Sequence, residues 1–291
     1  MFINKRVLSA LLSILIVLVL LVPGVGVNSV RATPFCDPII TFDRSNFPTS
    51  PKIDNQFLPL IPGTQLTLEG TANQGGGPTA HTVVFTVTSV TRVLDGVNTV
   101  TVWDRDFDGT QLAEAELSFF AQDKDGNVWN LGEYPEEYDA NGQFTGAPST
   151  WISGVNDGVQ PAEGGIHMLA QPRTGTNQYL QGYSPNIGFL DCAKVFKVNQ
   201  TICVPVNCYD NVLETSETSP LDQGGGKQLK FHAPGVGIVQ IGAVGDPQAE
   251  TLSLTKYVHL SKTALAAADR EALKLDAHGC QTNSIYSQIC K

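Results

Sequence analysis

The sequence predicts a mainly β protein, an antiparallel barrel-like or curled sheet closed by a single C-terminal α-helix. Three observations carry that reading. Segments rich in Val, Thr and Phe alternate in character, as strands packed on one face do. Gly, Asp and Asn turn signals interrupt them every 8 to 12 residues or so, the spacing of sandwiches and barrels. Helical periodicity is confined to the last stretch of the chain.

Taken in order, Met1 to Ala32 has the anatomy of a secretory signal peptide. Lys5 and Arg6 give a basic start, an apolar run spans Val7 to Val22, and "VRA" supplies small residues for cleavage after Ala32. The run is shorter than the ~20 apolar residues of a membrane-spanning helix, so no lasting membrane anchor is expected. Cys36 lacks the small preceding residue that bacterial lipid attachment requires, so no lipid anchor is expected either.

The strand candidates follow: "TQLTLEG", "HTVVFTVTSVTRVL", "NTVTVWDRDF", "LAEAELSFFAQD", "GNVWNLGEY", "KVFKVNQTICVPV", "KQLKFHAPG", "GIVQIGAV" and "TLSLTKYVHL". Asp95-Gly96 between the second and third is a strong hairpin signal. "NQGGGP" and "DQGGGKQ" read as loops. The Gly/Pro-rich stretch 134–183 shows no assignable period. Ser261 is the expected N-cap of a helix over 261–278, with Leu265, Ala268, Ala272 and Leu275 on one face and Gly279 as its stop. One β-rich domain, 33–279, with a tail over 280–291, accounts for the whole mature chain.

The full chain carries a formal net charge of −10. Cleavage after Ala32 removes Lys5, Arg6 and Arg31 and no acid, so the mature chain stands at −13 (−10 minus 3). Such a chain repels phosphate backbones and anionic lipid, which argues against nucleic-acid partners. The cysteines, at 36, 192, 203, 208, 280 and 290, all lie beyond the signal peptide. An even number in an exported chain reads as disulfides, and a secreted or extracytoplasmic location follows. Sequence does not fix the pairing. The expected set is Cys192 with Cys208 across a hairpin turning at Asn199-Gln200, Cys280 with Cys290, and Cys36 with Cys203.

Two acidic stretches raise the question of an ion. Asp104, Asp106 and Asp108 before Gly109 match the first half of a calcium loop, and Asp123 and Asp125 before Gly126 echo it. The closing glutamate is absent from both, and the flanks are strand-like. Tight turns, in which Gly takes a positive φ and Asp bonds its own backbone, explain both segments with one mechanism. No cofactor is therefore expected, with calcium held by these aspartates as the alternative. His81, His167, His232, His259 and His278 lack helical metal spacing. There is no G-x-S-x-G elbow and no phosphate loop. Glu136-Glu137 could serve as an acid–base pair but reads first as an acidic loop. A hairpin turning at Asp125-Gly126 sets Phe119 or Phe120 opposite Trp129 or Leu131. With Tyr134, these aromatics are candidates to line a concavity for an apolar small molecule.

The segments "FFAQDKDGNVWNLGEY" (119–134), "STWISGVNDGVQPAEGGIHM" (149–168), "FHAPGVGIV" (231–239) and "LSKTALAAADREALKLDAHG" (260–279) resemble a family of uncharacterised exported bacterial proteins. Its members share A-Q-D-x-x-G-N-V-W-Y-x-G-E and a later Y-A-P-G-V-G-x-V. "FLPLIPGTQLTLEG" (57–70) is similar to the family's entry segment. The chain departs at Asn130 and Phe231, where Tyr is favoured, and at Leu66 and Leu68, where an aromatic pair is usual. The resemblance implies an exported, β-rich protein and brings no catalytic residues. The Gly-Val-Gly segment also resembles envelope proteins whose half-barrel sheet holds apolar molecules. The expected function is thus a non-enzymatic exported protein that binds an apolar molecule or serves a structural role. The alternatives are a secreted hydrolase or metal-assisted enzyme built from Asp and His, and a calcium-stabilised interaction module.

Overall fold

The computed structural model describes residues 36–73, 75–156, 158–222 and 224–290; the expected signal peptide, Met1 to Ala32, lies outside the described residues. Twelve strands form a closed antiparallel barrel. They are β1 (Thr64–Asn73), β2 (Pro78–Leu94), β3 (Val97–Asp108), β4 (Gln111–Gln122), β5 (Val128–Tyr138) and β6 (Glu163–Met168). The second half comprises β7 (Tyr179–Ser184), β8 (Phe189–Cys203), β9 (Cys208–Thr218), β10 (Lys227–Ala233), β11 (Gly237–Val244) and β12 (Thr251–His259). Each strand pairs with its neighbour in sequence, and β12 closes the ring on β1, from Thr251 opposite Thr71 to His259 opposite Thr64. Closure leaves the ring without edges, which a half-barrel would expose.

The turns fold the ribbon as their residues dictate. Asp95 (φ 48°) and Gly96 (φ 78°) both take positive φ between Leu94 and Val97, the conformation a two-residue hairpin needs. Between β4 and β5, Asp123 Oδ1 accepts from the backbone N–H of Asp125 (3.0 Å) and Asn127 (2.9 Å), while its Oδ2 accepts from Trp129 Nε1 (2.9 Å). The aspartate thus ties the turn to the first aromatic of the returning strand. The stretch 134–183 contains the end of β5, two short strands paired with it (Phe144–Gly146 and Trp151–Ile152), then β6 and β7. Its pieces are two to six residues long outside β5, too short to show a period.

The helix α1 spans Lys262–Thr282, with Ser261 Oγ accepting from Ala264 N–H as its cap. It runs past Gly279, which is an interior residue and not the expected stop. A Cβ at Gly279 would lie 2.8 Å from the rings of Tyr134 and Tyr286, so the glycine is there for a close approach. The helix lies on the outside of the barrel, its buried face formed by Ala268, Ala272, Leu275 and Gly279. Arg92 on β2 holds Asp276 through Nε (2.8 Å) and a second, charge-assisted bond, and Tyr286 donates to Asp276 Oδ1 (2.7 Å). Among the described residues, no helix is long and apolar enough to cross a membrane.

All six cysteines are bonded, as Cys36–Cys192, Cys203–Cys208 and Cys280–Cys290. The last pair is the expected one; the other two correct the expected Cys192–Cys208 and Cys36–Cys203. The β8–β9 hairpin turns at Val204–Asn207, where the two residues exchange backbone hydrogen bonds of 2.9 and 3.1 Å. Cys203 and Cys208 therefore face each other across the last rung. Asn199 does adopt a left-handed φ of 56°, but as a register shift within β8 rather than a reversal. Cys192 is left for Cys36, which fixes the N-terminal segment onto β7 and β8 beside Leu180 and Leu190.

Candidate functional site

Strand alternation decides what enters the barrel. On β3 it points Asp104 and Asp106 inward, and on β4 Glu114, Glu116, Ser118 and Phe120, around an interior cavity of about 130 Å³. Part of that cavity's lining is apolar, with Leu66 and Leu68 from β1, Val83, Phe85 and Val87 from β2, and Ile241 from β11. The rest of the wall is largely acidic: Glu133 from β5, Asp191 from β8, Glu217 from β9 and Glu250 join the β3 and β4 carboxylates, and the two parts adjoin where Val83 pairs with Asp106. Asp104 stands directly opposite Glu116, and Asp106 opposite Glu114. Like charges so placed destabilise a sheet, which makes the arrangement a candidate for function.

Cations face part of this wall. Lys230 Nζ lies 2.7 Å from Glu217 Oε2, both side chains about nine-tenths buried. Against burial, which pushes it up, the Lys230 ammonium holds Glu217 down at about 2. His81 lies 3.0 Å from Asp108, 3.3 Å from Glu250 and 3.9 Å from Asp106. Burial opposes its charge, yet Glu250 and the two aspartates raise it to about 9. Burial and the nearby Lys230 ammonium depress His167 to about 3, so this cavity histidine is neutral at pH 7.

The remaining acids are pushed the other way. Burial raises Asp104 to about 6 and, with help from Glu133, Asp191 to about 7. Burial and neighbouring carboxylates push Asp106 and Glu116 well above the usual carboxylate range. The site can therefore hold exchangeable protons near neutral pH, and it can receive positive charge.

The residues expected from sequence divide sharply. Phe120 lines the cavity. Phe119, Trp129 and Tyr134 do not: they are buried on the outer face of the sheet, which corrects the expected aromatic concavity. Tyr134 packs against Tyr286 with ring centroids 4.4 Å apart, and Phe119 against the same ring at 6.2 Å. Trp129 meets Phe42 and Phe47 of the N-terminal segment at 5.5 and 6.0 Å. The hairpin exists, but a register shift sets Phe120 opposite Asn130 and Phe119 opposite Gly132, not opposite Trp129 or Leu131.

Asp104 and Asp106 enter the barrel, Asp108 pairs with His81, and Asp123 and Asp125 brace turns, Asp125 accepting from Asn46 Nδ2 at 2.8 Å. The five thus do not surround one point. Among the described residues, no group of three or more His, Cys, Asp or Glu side chains is arranged to hold a metal ion. Glu136 sits outside the barrel, buried beneath the helix end, accepting from Tyr134 (2.6 Å), Tyr138 (2.7 Å) and His278 (2.6 Å). His259 lies beside Tyr257, ring centroids 5.3 Å apart, away from the cavity.

Sequence reasoning gave no role to Glu116, Glu133, Asp191, Glu217 or Lys230, and His167 entered it only as one of five histidines without metal spacing. A regular hairpin turning at Gly109 would lay Asp104 over Ala115; the register shift between Asp106 and Phe107, which puts Asp104 over Glu116 instead, carries no signal in the sequence.

No protein-family model matches the chain, and no curated protein sequence does. Two crystal structures are similar in outline. A Bacteroides fragilis protein described as exported, with a YmcC-like fold, has 15% identity and a TM-score of 0.36 over 70% of this chain and 99% of its own. A Parabacteroides distasonis protein described as a lipoprotein has 12% identity and a TM-score of 0.37 over the same shares. Likeness this distant assigns no role to any residue of this chain.

Proposed function

We propose that this is an extracytoplasmic binding protein whose closed barrel holds a small molecule with an apolar body. The observation that carries it is the mixed lining of the cavity. A barrel interior that served packing alone would be filled by apolar side chains, whereas this one lines open space with Leu66, Leu68, Val83 and Phe85 and with carboxylates. Three disulfides support export, since such bonds persist in oxidising compartments. The resemblance of its motifs to exported bacterial proteins points the same way. Native mass spectrometry of protein purified from its own compartment, before and after organic extraction, tests the reading. An adduct removed by extraction supports it; a protein that carries no adduct and takes up no small apolar probe overturns it.

A second reading, a hydrolytic enzyme, is favoured by the Asp104–Glu116 pair. Two carboxyls held in register by adjacent strands and raised by burial could divide into proton donor and acceptor. Turnover of a glycoside or ester panel that disappears in Glu116→Gln would establish it, and a panel left untouched by the wild-type protein would remove it.

A further inference from the structure

The cavity's cations are already committed. Lys230 belongs to Glu217, and His81 to Asp108 and Glu250. Gln228 adds a further donor to Glu250 (2.6 Å), and Trp151 Nε1 and Asn130 Nδ2 satisfy Glu133 at 3.0 and 2.7 Å. Asp104, Glu116 and Asp191 have neither a protein cation in contact nor such a pair of side-chain donors. Asp104 accepts from the backbone N–H of Arg105 (3.1 Å), and Glu116 from the Ser118 hydroxyl. Asp191 Oδ1 is closed off from solvent and has no hydrogen-bond partner at all. A buried oxygen left in that state costs about 1–3 kcal/mol, more when ionised. Folding alone gives no reason to keep it.

We propose, on the reading of the interior as a ligand site, that the cavity takes a small amphiphilic amine, its ammonium head on those carboxyls of the lining that touch no protein cation and its apolar body along Leu66, Leu68, Val83 and Phe85. An ammonium brings three N–H donors and one positive charge to a wall of carboxyls, and its charge favours their ionised, accepting form. For an anionic head the lining offers Lys230, already committed to Glu217. Size limits the body. A cavity of about 130 Å³ is close to the ~150 Å³ engineered apolar cavity that accepts benzene in another protein, so the body is ring-sized and a phospholipid tail does not fit.

Calorimetric titration of the exported, processed protein at pH 7.5 with three matched probes tests this: 2-phenylethylamine, 2-phenylethanol and phenylacetate. The amine should bind at least tenfold more tightly than the alcohol, with phenylacetate weakest. Asp104→Asn with Asp191→Asn should abolish that preference while leaving alcohol binding within about twofold. If this double variant fails to fold, the wild-type protein serves: its preference should shrink severalfold between pH 7.5 and pH 5 as the carboxyls take up protons. Equal binding of alcohol and amine leaves the apolar-ligand reading standing and overturns the ammonium assignment. Failure of all three probes overturns both. Calcium chloride displacing bound amine at equal concentration would assign the acidic wall to a metal ion instead and likewise overturn the proposal.

Discussion

Asp191 shows what a single residue contributes against the fold. Its carboxyl is raised from 3.8 to about 7, chiefly by burial and secondarily by Glu133. Between pH 4 and pH 7 or so the native state therefore holds a proton that the unfolded chain has released, and stability falls as pH rises through that interval. Glu217 has the opposite sign. Lowered from 4.5 to about 2, it contributes fully above pH 4.5 and loses that contribution as pH falls towards 2. Asp191→Asn should accordingly raise Tm at pH 8, by the equivalent of roughly 1–3 kcal/mol, and give no gain at pH 4. Melting curves of the two proteins across that range decide the point. A variant less stable than wild type at pH 8 would mean that the ionised carboxylate is already satisfied in the free protein.

Among the elements, the C-terminal helix is held by close approach as much as by polar contacts. Gly279 lets the Tyr134 and Tyr286 rings reach the helix backbone, where an added Cβ would meet each at 2.8 Å. Alanine is the better helix former by about 1 kcal/mol, but overpacking two locked rings costs about 1–3 kcal/mol. Gly279→Ala should thus be destabilising on balance, by about 1 kcal/mol in urea titration, and should loosen Tyr286, seen as altered near-ultraviolet circular dichroism. A stabilised variant would show that the rings give way freely. The same residue marks the limit of legibility. Helix existence, its Ser261 cap and most of its buried face were readable from alanine-rich periodicity, but a glycine near a helix end looks alike whether it stops the helix or admits a ring from a distant strand. Strand positions and Asp-Gly turns were readable for the same local reasons. The register of β4 on β5 was not, because the extra residue at Leu131 sets Phe119 opposite Gly132 and Phe120 opposite Asn130. Nor was the acidic wall, whose members Asp191, Glu217 and Glu250 meet β3 and β4 only once the ring has closed.

In the whole molecule, closure depends on joining distant parts of the chain, since β12 must find β1 across about two thirds of the sequence, His259 pairing with Thr64. Local hairpins form cheaply, whereas that last seam carries the entropy of a long loop. The disulfides act on this unequally. Cys203–Cys208, separated by 5 residues, closes a hairpin that exists already, and its chain-entropy contribution is about 2 kcal/mol. Cys280–Cys290, separated by 10, contributes ~3 kcal/mol and secures the turn that carries Tyr286. Cys36–Cys192 spans 156 residues and contributes about 5 kcal/mol, because it closes the longest loop of the three in tying the N-terminal segment to β8. That segment supplies Phe42 and Phe47 to Trp129, so losing the bond also frees a cover of the outer core. Paired Cys→Ser variants, compared by urea unfolding at pH 7, should lose stability in the order Cys36–Cys192, then Cys280–Cys290, then Cys203–Cys208. The first should also raise Trp129 quenching by iodide. If Cys203–Cys208 instead proved the most costly to remove, loop length would not be what ranks the three bonds, and native contacts at the hairpin would outweigh chain entropy.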